Sequence, residues 1–165
     1  GEVLPHRDLD TLRGIEGARV KNIYRLMAQK YDIQWEGRHY DRANPNATDI
    51  PNQAINHAAT AVQAAAAIAV QAVAALPPLG VIHESSGQSF VLDIAHLYRE
   101  TATLHIAFTA AKRAEKSDET IDRLVRREAA NVFRKQQVIA SMIDSIQRVL
   151  RMDEVGNGTG DDRDS

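Results

Sequence analysis

The stretch NQAINHAATAVQAAAAIAVQAVAA, residues 52–75, decides the fold that we expect for this chain. Alanine is the best helix former, and its small side chain lets neighbouring helices approach closely on every side. Pro77 and Pro78 follow the stretch and cannot continue a helix. Alanine is also too weakly hydrophobic to favour insertion into a bilayer, and Gln63 and Gln71 interrupt the apolar surface. The stretch therefore predicts a long helix at the centre of a soluble bundle, with no membrane contact.

Helical periodicity continues on both sides of this stretch. Apolar residues that recur every three to four positions predict four more helices, over about residues 9–31, 89–99, 101–114 and 117–151. Ser89 and Ser117 stand where a side-chain oxygen can cap the start of a helix. Strand patterns are nearly absent. We therefore expect an all-α domain, a single bundle of about five helices.

Composition limits the kinds of site that the chain can build. The 165 residues suit one domain, and they include no cysteine. Disulfides and thiolate metal sites are excluded, so a metal would need His, Asp or Glu ligands. The absence of cysteine is compatible with a reducing cytoplasm, where we expect the protein to act.

The charge is unevenly distributed along the chain. The net charge is -2, but residues 153–165 hold five acids and only one base, which leaves 19 bases and 17 acids in residues 1–152. The body is therefore nearly neutral, and composition alone does not indicate a nucleic-acid partner. We expect residues 1–152 to form the helical domain and the Gly- and Asp-rich residues 153–165 to form a disordered tail.

Glu16 is the first residue that could carry chemistry. It lies between Gly14 and Gly17, and this leaves its carboxylate open to a ligand. Arg13 and Arg19 stand three residues away on either side, so an exposed helix face with ordinary ion pairs is an equally good interpretation.

His83, Asp93 and His96 could complete a metal site with Glu16. Asp93 and His96 are three residues apart, and this spacing places both on one helix face. An isolated Asp–His hydrogen bond and an ordinary loop histidine are the alternative interpretations. A set of carboxylate and imidazole ligands without thiolates suits Mg²⁺ or Mn²⁺.

Basic residues cluster in the last predicted helix. Arg126, Arg127, Arg134 and Lys135 have the fewest acids close to them in the sequence, which favours contact with a phosphate backbone. The acids interleaved through the rest of this region favour a mixed, solvated face instead.

Five short motifs together resemble one known family. They read LRGIEGARV (residues 12–20), WEGRHYD (35–41), NQAIN (52–56), GVIH (80–83) and SFVLDIA (89–95). In order and spacing they resemble the CRISPR-associated adaptation integrase, Cas protein number one, in the subtype that accompanies the Cascade effector. The resemblance spans about residues 5–150. It implies an all-helical catalytic domain that follows an N-terminal β-rich domain absent from this chain, and the start at Gly1 without methionine also leads us to expect a fragment.

The resemblance also implies a function. The family is a metal-dependent DNA integrase and endonuclease: the 3′-hydroxyl of a prespacer attacks a phosphodiester of the CRISPR repeat. The expected partners are double-stranded DNA (prespacer and CRISPR repeat), the small second Cas adaptation protein, and a second copy of the full-length protein as a homodimer. The expected cofactor is Mg²⁺ or Mn²⁺.

Residue by residue, Glu16 and His83 match the family's catalytic metal ligands. The family's acidic ligand matches the position of His96, so either His96 or Asp93 would be the third ligand here. Gln63 stands where this subtype can carry a tyrosine. We assign DNA contacts to a set of basic and aromatic residues: Arg13, Arg19, Tyr31, Trp35, Arg99, Arg126 and Arg127.

Two other functions compete with the integrase. One is a catalytically weakened helical module for DNA binding or assembly, with His96 as the sign of a lost acidic ligand. The other is an unrelated helical metallohydrolase, which is disfavoured because the chain has no His-x-x-x-His motif.

Overall fold

The computed structural model describes residues 9–39, 48–74 and 88–157, and of residues 9–13, 16 and 151–157 it describes the backbone alone. Within these ranges the chain forms helices and no strand. The elements are α1 (Leu9–Lys30), α2 (Ile50–Ala72), α3 (Ser89–Leu97), a π-helical segment (Arg99–Leu104), α4 (His105–Ala114), α5 (Ile121–Lys135) and α6 (Val138–Asn157). The prediction of an all-α fold is confirmed.

Helix α2 lies at the centre of the bundle. It packs against α3, the π-helical segment, α4, α5 and α6. Ala54, Ala58, Ala66 and Ala69 are fully buried, so neighbouring helices meet the backbone of α2 almost directly. None of the helices in the described ranges is both long and apolar enough to cross a bilayer.

The prediction of one long helix over residues 117–151 is wrong, because the chain forms two helices there. Gln137 has a left-handed backbone (φ 47°), and α6 turns back after it. The turn contains no glycine or proline, so local sequence gives little sign of it. It places Val138, Met142 and Ile146 in the core, and their burial offsets the strain of a left-handed glutamine, about 1 kcal/mol.

The expected start of this region also differs. Thr120, not Ser117, precedes the first turn of α5. Ser117 lies three residues before Thr120, and its Oγ accepts a hydrogen bond from the Glu119 backbone N–H at 3.2 Å. At the other end, α6 continues to Asn157, six residues beyond the expected end near Arg151. The remainder of the expected tail, residues 158–165, lies outside the described residues.

The predicted boundary between the helices over 89–99 and 101–114 is replaced by a π-helical segment. The backbone N–H of Thr103 donates to the Tyr98 carbonyl at 3.1 Å, five residues back. The Tyr98 hydroxyl also lies 2.8 Å from Ser141 Oγ on α6. Such wide turns cluster near functional sites, and here the segment begins at Arg99.

Asn52 joins the connector before α2 to the helix itself. This side chain is fully buried. Its Oδ1 accepts from the His39 backbone N–H at 3.0 Å and from Arg38 Nη1 at 2.8 Å. Its Nδ2 donates to the Gly37 carbonyl at 2.9 Å and to the Asp49 carboxylate. One amide therefore fixes both the path of the connector and the position of Arg38.

Replacing Asn52 by alanine should destabilise the fold. Asn52→Ala leaves the Gly37 carbonyl and the His39 N–H without their partner, so we expect the free energy of unfolding to fall by about 1–3 kcal/mol. Thr60→Ala, an exposed site on the same helix, is the control. Urea denaturation that gives equal midpoints for the two variants would contradict the role of Asn52.

Candidate functional site

A cleft of about 470 Å³ opens between α1, α2, α3 and the π-helical segment. Its wall combines basic, aromatic and small residues, and no described carboxylate lines it. The lining residues are Gly17, Val20, Lys21, Tyr24, Arg38, Ile55, Ala59, Gln63, Ala95, His96, Arg99 and Thr103. The cleft therefore presents positive charge and one imidazole to a ligand.

His96 and Asp93 have different surroundings, although they are one turn apart on α3. His96 is exposed and lines the cleft, whereas Asp93 is buried, with 9% of its surface exposed. His96 Nε2 is in hydrogen-bond contact with Arg99 Nη2. A guanidinium can only donate, so Nε2 accepts in this contact. Of the two residues, His96 is the one that a ligand in the cleft would meet.

Three basic side chains reach the same cleft. Arg99 comes from the start of the π-helical segment and Lys21 from α1. Arg38 comes from the connector, where Asn52 Oδ1 and Asn56 Oδ1 hold its guanidinium at 2.8 and 2.5 Å. Sequence reasoning named Arg99 but not Arg38 or Lys21. The only signal for Arg38 was its place in the 35–41 motif, since the asparagines that hold it lie 14 and 18 residues away.

The other predicted ligands are described less fully. Glu16 lies on α1 beside Gly17, which lines the cleft, but its side chain is outside the described part of the structure. The same holds for the Arg13 side chain. His83 falls in residues 75–87, outside the described residues. The convergence of Glu16 and His83 on the cleft therefore stays a prediction.

Gly14 and Gly17 have open space around them. A Cβ added at either position would meet no described atom within 4 Å, so no neighbouring backbone requires these glycines. Gly17 lines the cleft, whereas Gly14 does not. Access to the cleft is the one reason that this geometry offers for Gly17.

Tyr31 and Trp35, both predicted DNA contacts, belong to an aromatic cluster. Trp35 stacks on Tyr24 with ring centroids 5.6 Å apart and meets Phe108 edge-on at the same separation. Tyr31 stacks on Phe108 at 6.2 Å. Both residues are half-buried. The cluster joins the end of α1 and the connector to α4, which gives both residues a packing role.

The Tyr31 hydroxyl is also hydrogen-bonded to His105 Nδ1, and no sequence pattern indicated this pair. Burial lowers the pKa of His105 from its ordinary 6.5, the Lys30 and Lys135 charges lower it further, and Glu128 opposes them. His105 thus carries a hydrogen bond and little charge near neutral pH. The two groups lie 74 residues apart in the chain, so no local pattern could pair them.

Arg126 and Arg127 are better balanced by acids than the sequence indicated. Arg126 pairs with Asp122, one turn earlier on α5, and Arg127 Nη1 lies 2.9 Å from Glu119 Oε1. The expectation that they have few acidic neighbours is wrong, because the preceding cap and first turn bring those acids to them. Arg19 is exposed on α1. The DNA contacts assigned to these arginines stay predictions.

A divalent cation at the cleft would need several nitrogen or oxygen ligands from the protein. Among the side chains that the structure describes in residues 9–39, 48–74 and 88–157, no three His, Asp or Glu residues come together in a group that could hold a metal ion. His96 supplies an imidazole at the cleft wall. Glu16 directly precedes Gly17, the α1 residue that lines the same cleft. Nitrogen and carboxylate donors of this kind fit Mn²⁺ better than Mg²⁺.

Comparison with known proteins places the chain in a family. The family model for CRISPR associated protein Cas1 matches residues 2–154. The CRISPR-associated endonuclease Cas1 1 of Rhodospirillum rubrum is 36% identical over 148 residues, which cover 88% of this chain and 47% of that protein. The CRISPR-associated endonuclease Cas1 of Escherichia coli K12 is 34% identical, over 94% of this chain and 50% of that protein.

A solved structure agrees with the sequence matches. The structure of a TtCas1–DNA complex superposes with a TM-score of 0.79 and 32% identity, and covers 90% of this chain and 56% of that one. The fold and the matches define a helical unit of a CRISPR-associated protein. The chain belongs to the Cas1 family. It spans about half the length of the relatives named here.

The lowered pKa of His105 predicts a pH dependence of stability. The unfolded imidazole binds a proton at higher pH than the folded one, so the free energy of unfolding should fall as the pH drops below the ordinary value of 6.5. His105→Gln removes the titrating imidazole. The free energy of unfolding should therefore depend less on pH between about pH 7 and about pH 5. Thr60→Ala on α2, which changes no titratable group, is the control and should keep the parent's slope. Equal slopes for His105→Gln and the parent in urea titrations would refute the effect.

Proposed function

We propose that this chain is the helical catalytic portion of a divalent-metal-dependent DNA integrase and endonuclease that inserts prespacer DNA into a CRISPR array. The observation that carries the proposal is the cleft that His96 lines together with Lys21, Arg38 and Arg99, next to the part of α1 that carries Glu16. The chain belongs to a family whose matched relatives are named endonucleases, and this supports nuclease activity. The similar TtCas1 structure is a complex of that protein with DNA, which supports DNA as the substrate here.

The basic side chains supply the DNA-binding part of the proposal. Lys21, Arg38 and Arg99 line the cleft, and side chains of this charge can neutralise phosphates of a DNA strand. Two asparagines hold the Arg38 guanidinium, so this side chain would lose little conformational entropy when it binds a phosphate. Gln63 on the α2 wall offers an amide where this subtype can carry a tyrosine.

The reaction is a transesterification. The prespacer 3′-oxygen forms a bond to a repeat phosphorus, the bond from that phosphorus to the adjacent 3′-oxygen breaks, and the leaving oxygen takes up the proton that the nucleophile loses. Glu16, His83 and His96, with Asp93 as the alternative to His96, would hold a Mn²⁺ or Mg²⁺ ion. A bound ion of this kind activates the oxygen nucleophile and neutralises charge on the phosphodiester.

Arg99 acts on His96 as well as on DNA. Its guanidinium donates to Nε2, so the imidazole is oriented before any ligand arrives. The same contact occupies the lone pair that a metal ion would need, and Arg99 would have to turn toward a phosphate when the ion binds. The remaining partners that we propose are the small second Cas adaptation protein and a second copy of the full-length chain.

One observation favours a second candidate. His96 stands where the family has an acidic ligand, and its Nε2 already has a partner in Arg99. A helical module that binds DNA or assembles the complex without catalysis would tolerate this arrangement. Calorimetric titration of Mn²⁺ into the full-length protein separates the candidates, since an absence of binding would favour the module.

Substitution of His96 tests the integrase directly. In an integration assay with full-length protein, the small partner and Mn²⁺, His96→Ala should lower the rate by about tenfold or more through lost metal affinity. His96→Asp restores a carboxylate and should shift the preferred ion toward Mg²⁺. His57→Ala, the same change outside the cleft, should keep the parent's rate. A parent-like rate for His96→Ala would remove His96 from the site.

The two glycines of α1 provide a matched pair for the DNA-binding surface. Gly14→Ala and Gly17→Ala should each raise the free energy of unfolding by up to about 1 kcal/mol, because the added methyl meets open space and favours the helix. Only Gly17→Ala narrows the cleft, so only this variant should weaken duplex binding, by about threefold in fluorescence anisotropy. Equal affinities for the two variants would place the DNA elsewhere.

A further inference from the structure

A second cleft, of about 570 Å³, lies between the residue after α1, helix α4, the loop that follows α4, and the middle of α5. It shares no lining residue with the His96 cleft. Four of its lining side chains are cations, the other three carry hydroxyl groups, and none is a carboxylate. They are Tyr31, Thr109, Lys112, Arg113, Lys116, Ser117 and Arg127.

The acids that pair with these cations lie outside the lining of the cleft. Lys112 Nζ is 2.9 Å from Glu115 Oε2 and 3.1 Å from Asp32 Oδ2, and these contacts raise the pKa of Lys112. Arg113 pairs with Glu128, whose side chain is only 7% exposed. The ion pairs hold the cations in place around the cleft, so little side-chain freedom is lost when a ligand binds.

Arg127 is held in the same way, by Glu119, whereas Lys116 differs from the other three cations. No ion-pair partner for Lys116 is found among the residues that the structure describes. Lys116 therefore supplies the positive charge of this cleft that no described carboxylate offsets.

Thr109 gives an independent sign of a ligand. Its Oγ1 is buried and has no hydrogen-bond partner in the described part of the chain. A buried hydroxyl without a partner costs about 1–3 kcal/mol, so such a group calls for an explanation such as a bound water or ion. The hydroxyl of Ser117 accepts from the Glu119 N–H and keeps its own proton to donate. The residues that line the cleft thus include two hydroxyls with a proton to donate, beside four cations.

We propose that this cleft binds a phosphate group. A phosphate has several strong acceptor oxygens and at least one negative charge, and it matches a wall of ammonium, guanidinium and hydroxyl donors that holds no acid. The group can come from a DNA backbone or from a small molecule such as inorganic phosphate. The cleft lies apart from the His96 cleft, so phosphate binding here does not require the proposed catalytic activity.

Two substitutions test the site on the full-length protein. Thr109→Val keeps the shape but removes the hydroxyl, and Lys116→Gln removes the charge without an ion-pair partner. Calorimetry with inorganic phosphate and fluorescence anisotropy with a DNA duplex measure the two sources of the group. The loss of a charge-assisted hydrogen bond should raise the Kd by about tenfold or more in each variant. Arg148→Gln, an equal charge change at an exposed site on α6 outside this cleft, should raise neither Kd.

The outcomes are distinct. Weaker binding of inorganic phosphate in both variants identifies a small-molecule phosphate site, and weaker binding of the duplex alone identifies a DNA backbone contact. Thr109→Val should melt at or above the parent's temperature, because the hydroxyl has no described partner to lose. Unchanged Kd values for both ligands in both variants, or an equal loss in Arg148→Gln, would overturn the proposal.

Discussion

The small side chains of α2 are the constraint on which the bundle depends. Ala54, Ala58, Ala66 and Ala69 are fully buried, and four helices and the π-helical segment pack around this one helix. A larger side chain at any of these positions would have to displace a neighbouring helix, at a typical cost of about 1–3 kcal/mol. The same helix contributes Ala59 and Gln63 to the wall of the His96 cleft, so close packing in the core sets the shape of the site.

Two local features carry this packing to the polar groups of the cleft. At the start of α2, the buried amide of Asn52 holds the connector and, through it, Arg38. After α3, the π-helical segment begins at Arg99, and its guanidinium reaches back to His96. Packing and hydrogen bonds therefore hold the polar side chains at the wall of the cleft. The phosphate-binding cleft that we propose on α4 and α5 is built separately, from cations held by ion pairs.

The sequence was sufficient for features that depend on local pattern. Helical periodicity and the alanine-rich stretch predicted the all-α fold and the central place of α2, and the five motifs predicted the family. The turn at Gln137 was missed because burial of Val138 and Met142 decides it, with no glycine or proline to mark it. The Tyr31–His105 bond and the anchoring of Arg38 were missed because their partners are distant in the chain. His96 lines the cleft and Asp93 is buried, a distinction that their shared helix face could not reveal.

We propose above all that the His96 cleft forms a metal site with Glu16 and His83. Anomalous X-ray scattering from crystals of the full-length protein grown with Mn²⁺ tests it most directly. We predict one anomalous peak in the cleft, with the side chains of Glu16, His83 and His96 at about 2.0–2.6 Å from it. A cleft without a peak, or a Glu16 carboxylate more than about 10 Å from His83, would contradict the claim, since one ion cannot reach both ligands over that distance.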